Sequence, residues 1–370
     1  MEKKKGFSLK SIVNKKRVIA VLLVFVLIAV MVFSNPEVQK FLFGQDSVKI
    51  SFQSGSEYKA VAYGNEMLLV SHDGIRAVDK NGKDTWSVVH TVTTPMTAVK
   101  NGYLMIADIN GTTVNVYKKD KVVSQIKTKN EILTAKMNMN GNVAVATDEL
   151  GYKGAVMLFD KSGKETFKWY SGSGYIGDID ISSDGKSIAV AQLMADKEQI
   201  YSRIMVINTK SDSDAKAVAE IEGIVMNLRC KDNGEILAVS DSGVYCYKKN
   251  GKQTMHIDFG GRIPVDYNIE NQGNMVFAFD TGLNNTVLES YSAKGKLRGK
   301  YEANGEIRAF DVNGECILAS TVSGVVRINP SGKVKGQMTV DRDIKEIKIF
   351  SGRGRFLALG GGGAHIRKVK

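Results

Sequence analysis

From residue 46 onward the apolar positions fall in short runs rich in Val, Ile, Tyr and Phe, separated by turns of Gly, Asn and Asp. Runs of this kind predict strands, and no amphipathic helical stretch interrupts them. The first unit reads YKAVAY, Gly64-Asn65, MLLVS, His72-Asp73-Gly74, IRAVD, Asn81-Gly82-Lys83, TWSVV. It predicts four antiparallel strands joined by three tight turns, and glycine suits such turns because positive φ costs it nothing. A first-turn glycine returns at Gly64, Gly102, Gly141, Gly185, Gly234, Gly273, Gly314 and Gly352, on average about every 41 residues. That is the period of four-stranded propeller blades. A third-turn signature returns as Lys-Ser-Gly-Lys (161–164), Lys-Asn-Gly-Lys (249–252), Ala-Lys-Gly-Lys (293–296) and Pro-Ser-Gly-Lys (330–333). Blades 2 and 4 carry Lys119-Asp120 and Ser211-Asp212 there instead.

The 325 residues from 46 to 370 hold about 7.9 such units. The expected fold is therefore all-β, an eight-bladed β-propeller, with seven blades as the alternative if one weak repeat is miscounted. The eighth repeat begins at Ile344 and offers three runs, IKEIKIF, RFLALG and AHIRKVK. The run SVKISFQ, residues 47–53, precedes blade 1 and is the expected closing strand of the last blade (46–53). Closure of this kind pairs the two ends of a ring and removes open sheet edges.

A different pattern precedes the repeats. Val18 to Phe33 is an unbroken apolar run of 16 residues. As a helix it would span about 24 Å, and flanking Lys15, Lys16 and Arg17 could snorkel to cover the rest of a bilayer core of about 30 Å. The expected organisation is a basic cytoplasmic tail (1–17), a transmembrane helix (18–34), a linker (35–45) and the propeller (46–370). The positive-inside rule puts the tail in the cytoplasm and the propeller outside the cell, in a single-pass protein of the cell membrane. The rival is a cleaved signal peptide, with Val32 and Ser34 before the cut. The long basic head and the length of the apolar run favour an uncleaved anchor, and no Cys follows the run to support a lipoprotein cut.

Composition narrows the partners. The chain carries 51 Lys+Arg against 39 Asp+Glu, a net charge of +12. Half of that comes from residues 1–17, where seven basic residues face Glu2 alone. The remaining +6 is spread through the repeats without a basic stripe or recognition motif, so no nucleic acid is expected as a partner. The three cysteines, Cys230, Cys246 and Cys316, lie in strand-like runs and are expected as small buried hydrophobes.

The residues 77–86, AVDKNGKDTW, resemble the AxDxxTGxxxW repeat of PQQ-type propellers, with Asn81 in place of Thr. Residues 183–189, SDGKSIA, resemble the S-P-D-G-K-x-I-A turn of WD40-like and TolB-like propellers, with Ser183 in place of Pro. The likeness covers residues 46–370 as architecture and is similar to membrane-anchored extracytoplasmic propellers of bacteria. Its nearest functional analogue is the propeller lipoprotein of outer-membrane protein assembly, which implies a scaffold. The adjacent cysteines of quinoprotein dehydrogenases are missing, and Trp86 has a partial counterpart in Phe167 alone. No cofactor is therefore expected, and Trp86 is expected to pack between blades.

Candidate chemistry is sparse. His72, His90, His256 and His365 show no paired spacing, so no metal site is expected. No nucleophile elbow, SxxK or phosphate-loop motif appears. Gly360 to Gly363 is expected as a flexible loop. Asp178 and Asp180, two apart on the inner strand of blade 4, share one strand face and could do acid–base work with Asp266 of blade 6. Arg229, Arg308 and Asp311 are expected on other inner strands. This gives the alternative function, an extracytoplasmic hydrolase or lyase acting on a glycan or peptide in the central channel. The plainer expectation for these groups is a ring of salt bridges and turn caps.

The second turns of blades 3, 4 and 6 are long: residues 147–154, 192–202 and 280–286. Tyr152, Trp169, Tyr170, Tyr175 and Tyr201 lie in or near the first two. Aromatics on a loop-rich face suit a protein or glycan contact. The expected function is therefore a non-catalytic, membrane-anchored scaffold that binds an envelope protein or an anionic wall polymer on that face.

Overall fold

The computed structural model describes residues 47–52, 57–196, 199–211, 215–269, 274–340, 343–350 and 354–369. The tail, apolar segment and linker expected over 1–45 lie outside the described residues, as do Gly273 and Gly352. Among the described residues no helix is long and apolar enough to cross a membrane. The unit Lys49–Lys370 holds seven complete sheets and all of the eighth except Ser47 and Val48, which are the described residues of the unit Met1–Val48.

Each sheet has four strands, and in seven of the eight they follow one another in sequence order. The blades span 59–89, 95–127, 132–170, 175–222, 225–258, 264–302 and 309–338, and the eighth combines 346–368 with the strand Ser47–Ser51. The spacing of the first-turn glycines thus counts the blades. In the eighth sheet Ser47–Ser51 lies beside the third strand, Gly363–Lys368. A Cβ on Gly363 would meet the Ile50 carbonyl at 2.5 Å, so the end of the closing strand abuts the start of its neighbour. Hydrogen bonds join blade 8 to blade 1, among them two between their strands and turns. Glu346 Oε2 accepts from the Ala60 amide at 3.0 Å, and Arg355 Nη1 donates to the Lys80 carbonyl at 2.6 Å.

Burial grades outward along each blade for a simple reason. Second strands such as Val143–Thr147 and Ile236–Ser240 are buried on both faces, because neighbouring blades cover both sides. Their sequences, VAVAT and ILAVS, are accordingly apolar at almost every position. Fourth strands such as Val334–Met338 and Leu297–Glu302 are mostly exposed. Separate apolar clusters fill the interfaces between consecutive blades from 1–2 through 7–8. Trp86 packs against the first of them, as expected, and its indole N–H donates to Glu66 Oε2 at 3.0 Å.

The third turns repeat one geometry. Gly82, Gly163, Gly251, Gly295 and Gly332 have φ of 77°, 86°, 86°, 79° and 81°, and each amide donates back to the carbonyl three residues earlier. The register shifts by one residue beside each turn. This is a tight turn followed by a left-handed bulge residue, a position that glycine alone adopts cheaply. Residues 360–363 also form a tight turn. Gly360 pairs with Gly363, leaving Gly361-Gly362 as a two-residue hairpin connection in place of the flexible loop expected.

Meander order puts first and third turns at one end of every blade. Second turns and inter-blade connections lie at the other end, here called the loop face. The long second turns of blades 4 and 6 are strand extensions, which corrects the loop expectation. Ser187–Ala195 pairs with Ile200–Asn208 through Ala195↔Ile200, and Asn274–Gly282 pairs with Asn285–Ser292 down to Gly282↔Asn285. Both hairpins stand above the ring as ribbons.

Candidate functional site

The inner strands carry a chain of carboxylates that reach from one blade to the next. Asp178 is 6% exposed, and its Oδ2 accepts from the Leu228 amide of blade 5 at 2.8 Å and from Lys136 Nζ of blade 3 at 3.2 Å. Asp180 Oδ2 accepts from the Cys230 amide at 2.6 Å. Asp311 Oδ2 accepts from the Ile349 amide of blade 8 at 2.8 Å, and its Oδ1 faces Lys348 Nζ at 3.6 Å. Together with Glu346 and Ala60, these contacts make one repeated device. A carboxylate on the inner strand caps a main-chain amide that the next blade's inner strand leaves unpaired.

Burial raises the Asp178 and Asp311 carboxyls above the ordinary range, opposed by Lys136 and Lys348 respectively and by the amides. Burial pushes Asp180 up to about 6, opposed by the Cys230 amide. Asp266 sits exposed in the channel and accepts from its neighbour, the Tyr267 amide, at 2.8 Å. The structure thus brings Asp178 and Asp180 together on the face toward blade 5. No hydrogen bond joins either of them to Asp266 among the described residues. Arg229 is engaged with the Ile269 carbonyl of blade 6. Arg308 precedes the inner strand of blade 7, where it pairs with Asp343 and Glu306, which corrects its expected inner-strand position.

A cavity of about 460 Å³ opens where the channel meets the face of first turns. Lys100, Asp180, Arg229, Lys231 and Asp232 supply its charged lining, and Met137, Ile181 and Leu237 are among its apolar walls. Among the described residues no three His, Cys, Asp or Glu side chains gather to hold a metal ion. All three cysteines are free. Burial pushes the Cys230 and Cys246 thiols up, away from the thiolate form a nucleophile needs.

The loop face gathers the exposed apolar side chains. Of 17 large hydrophobic side chains exposed among the described residues, 12 lie at this end of the blades, including Leu150 at 97%, Leu283 at 96% and Val322 at 66%. Tyr152 and Tyr170 stack with centroids 4.6 Å apart. Lys153 Nζ donates to the Tyr175 hydroxyl at 3.0 Å, and Lys168 sits over the Tyr170 ring while pairing with Glu149 at 3.0 Å. Three of the five expected aromatics therefore form one patch over blades 3 and 4. Trp169 does not join it. It alternates with Tyr170 along its strand and packs into the apolar cluster between blades 3 and 4, so its expected place on the binding face is corrected. Tyr201 is half-buried on the blade 4 hairpin beside Arg203, and no ring contact links it to the patch among the described residues.

Sequence reasoning missed Leu283. It occupies a two-residue turn with Asn284, at φ of 53° and 59°. Both positions of such a turn need positive φ, which favours Asn or Gly and penalises Leu. A fully exposed Leu held there does nothing for the fold. The signal in the sequence was an apolar residue inside TGLNNT, a turn otherwise built of polar residues and glycine.

Solved structures with the same architecture are many and distant in sequence. BamB from Moraxella catarrhalis is 11% identical with a TM-score of 0.52, covering 86% of this chain and 99% of that one. Saccharomyces cerevisiae Sqt1 is 12% identical with a TM-score of 0.59, covering 87% and 99%. The C-terminal WD40 domain of Sif2 is 13% identical with a TM-score of 0.60, covering 86% and 98%. At these identities the likeness establishes the fold. No curated protein matches the chain. The model of a family of unknown function, DUF5711, matches residues 42–366.

Proposed function

The chain belongs to the DUF5711 family, and from that footing we propose that it is a non-catalytic scaffold, anchored in the cell membrane through residues 18–34, whose propeller binds an envelope protein outside the cell. The observation that carries this is the one-sided distribution of exposed apolar side chains on the loop face. Leu150, Tyr152, Tyr170, Tyr175, Leu283 and Val322 project there without an intramolecular need for exposure. Aromatic and aliphatic anchors surrounded by polar residues suit the centre of a protein interface. Such a face suits a protein better than an anionic wall polymer, because its second turns are acidic.

The resemblance to BamB-like and WD40-like propellers supports the reading as architecture. Asp178, Asp180 and Asp311 support it too, because their carboxylates are engaged in holding blades together. The test is co-purification of the tagged full chain from crosslinked cells. Tyr152→Ala with Leu283→Asn should lower partner recovery at least 5-fold while the melting temperature holds. Undiminished recovery from that variant would refute the face.

A further inference from the structure

The end of the ring opposite the loop face has a charge pattern that the fold does not need. The seven third turns between strands, from 79–83 in blade 1 to 329–333 in blade 7, hold twelve lysines against five aspartates, a net +7. Residues 46–370 as a whole net +6, so the net charge of these few turns exceeds that of the whole propeller. The first turns, at the same end but nearer the channel, net −2. The second turns on the loop face net −4. The propeller is therefore polarised along its axis, with a basic outer rim at one end.

The rim is also regular. Lys83, Lys164, Lys252, Lys296 and Lys333 each directly follow the left-handed glycine of a third turn, so they occupy equivalent positions in five blades. All five are exposed. Their main-chain groups serve the turn, which any residue could do, and none of the five side chains forms an ion pair among the described residues. Unpaired lysines repeated around a rim are a surface for an extended polyanion. A compact anion would touch one blade at a time.

The course of the chain selects which polyanion. The closing strand Ser47–Ser51 runs antiparallel to Gly363–Lys368, since Ile50 abuts Gly363 at the loop-face end. The chain therefore enters the propeller from the lysine-rich end. Thirteen residues separate Phe33 from Ser47, a reach of at most roughly 45 Å fully extended. We infer that the third-turn lysine rim rests on the anionic phospholipid headgroups of the membrane that the apolar segment enters, which aims the loop face away from the bilayer. Attraction of this kind acts within about a Debye length, roughly 8 Å at physiological salt, and fades as salt rises. This step uses the anchor of the proposed function but not its protein partner.

The test uses the full chain in lipid nanodiscs, of phosphatidylcholine alone or with about a third phosphatidylglycerol. An uncharged amine-acylating reagent labels lysines, read residue by residue by mass spectrometry. Lys129 and Lys345, exposed at the loop-face end, serve as references. The five rim lysines should label at least 3-fold more slowly in the anionic discs at low salt. They should recover at 0.5 M salt, while the references hold constant. Equal rim labelling in both discs, or equal slowing of rim and reference lysines, would overturn the inference. Slowing by soluble poly(glycerol phosphate) with none by the anionic discs would overturn it in favour of a wall polymer. Failure of the full chain to enter neutral discs at all would be a failure of the anchor, distinguishable from a failure of the rim.

Discussion

Replacing Asp178 with Ala separates a carboxylate that holds blades together from one that does chemistry. In the folded chain its side chain accepts from the Leu228 amide at 2.8 Å and Lys136 Nζ at 3.2 Å. Removing it leaves the Leu228 amide buried without an acceptor, a cost of about 1–3 kcal/mol. Lys136 loses its partner as well. Its side chain is 23% exposed and can turn to channel water, so that loss adds only about 1 kcal/mol. The sum is about 2–4 kcal/mol. At about 2 °C per kcal/mol for a domain of this size, the melting temperature should fall by roughly 4–8 °C. Asp178→Asn keeps an acceptor oxygen and should lose less than about half as much. Differential scanning fluorimetry of the full chain in detergent, read with partner recovery below the transition, measures both effects. If Asp178→Ala melted with the parent and yet abolished biological activity, the structural account of the channel would be wrong.

Other consequences concern pH, buried charge and the loop face. Asp180 has its folded pKa raised to about 6, so its contribution to stability is full below the unfolded value and is lost as pH rises through 6. Asp180→Asn should therefore stabilise the domain at pH 7.5 by up to about 3 kcal/mol and change little at pH 4, which urea titrations at both pH values would check. Glu289 is 1% exposed. Burial alone would raise its carboxyl, but Arg262, Lys300 and Tyr291 outweigh that and hold it at about 2. Its contribution is present above the unfolded value and is lost as pH falls from about 4.3 toward 2. Glu289→Gln should cost about 3 kcal/mol at pH 7 in urea and flatten that acid limb. Leu283→Asn relieves a strained turn and should raise stability by about 1 kcal/mol while lowering partner recovery. A variant that gained stability with recovery intact would leave that leucine unexplained.

The parts legible in the sequence were those fixed by local geometry. Glycines such as Gly82 and Gly163 recur because the turn needs positive φ whatever surrounds it, and their spacing carries the blade count. The nearly continuous apolar second strands were readable for the same reason. The site was legible only in outline. QLMADKEQIYS reads as a loop by composition, yet pairing across Ala195↔Ile200 makes most of it a ribbon. Trp169 and Tyr170 are neighbours in sequence, but the period of two along a strand sends them to opposite faces. The inter-blade role of Asp178 depends on an amide 50 residues away, which no local pattern encodes. The polarity of charge emerges only once each turn is assigned to an end of the ring.

The scaffold reading is tested most directly by site-specific photo-crosslinking in intact cells. A photoreactive residue would replace Tyr152, Leu283 or Val322 on the loop face, and Leu297 or Val334 at the opposite end, one at a time in the full chain. The account predicts a discrete protein adduct of one size from the three loop-face positions and none from the other two. Adducts from Leu297 and Val334, with none from the loop face, would contradict it.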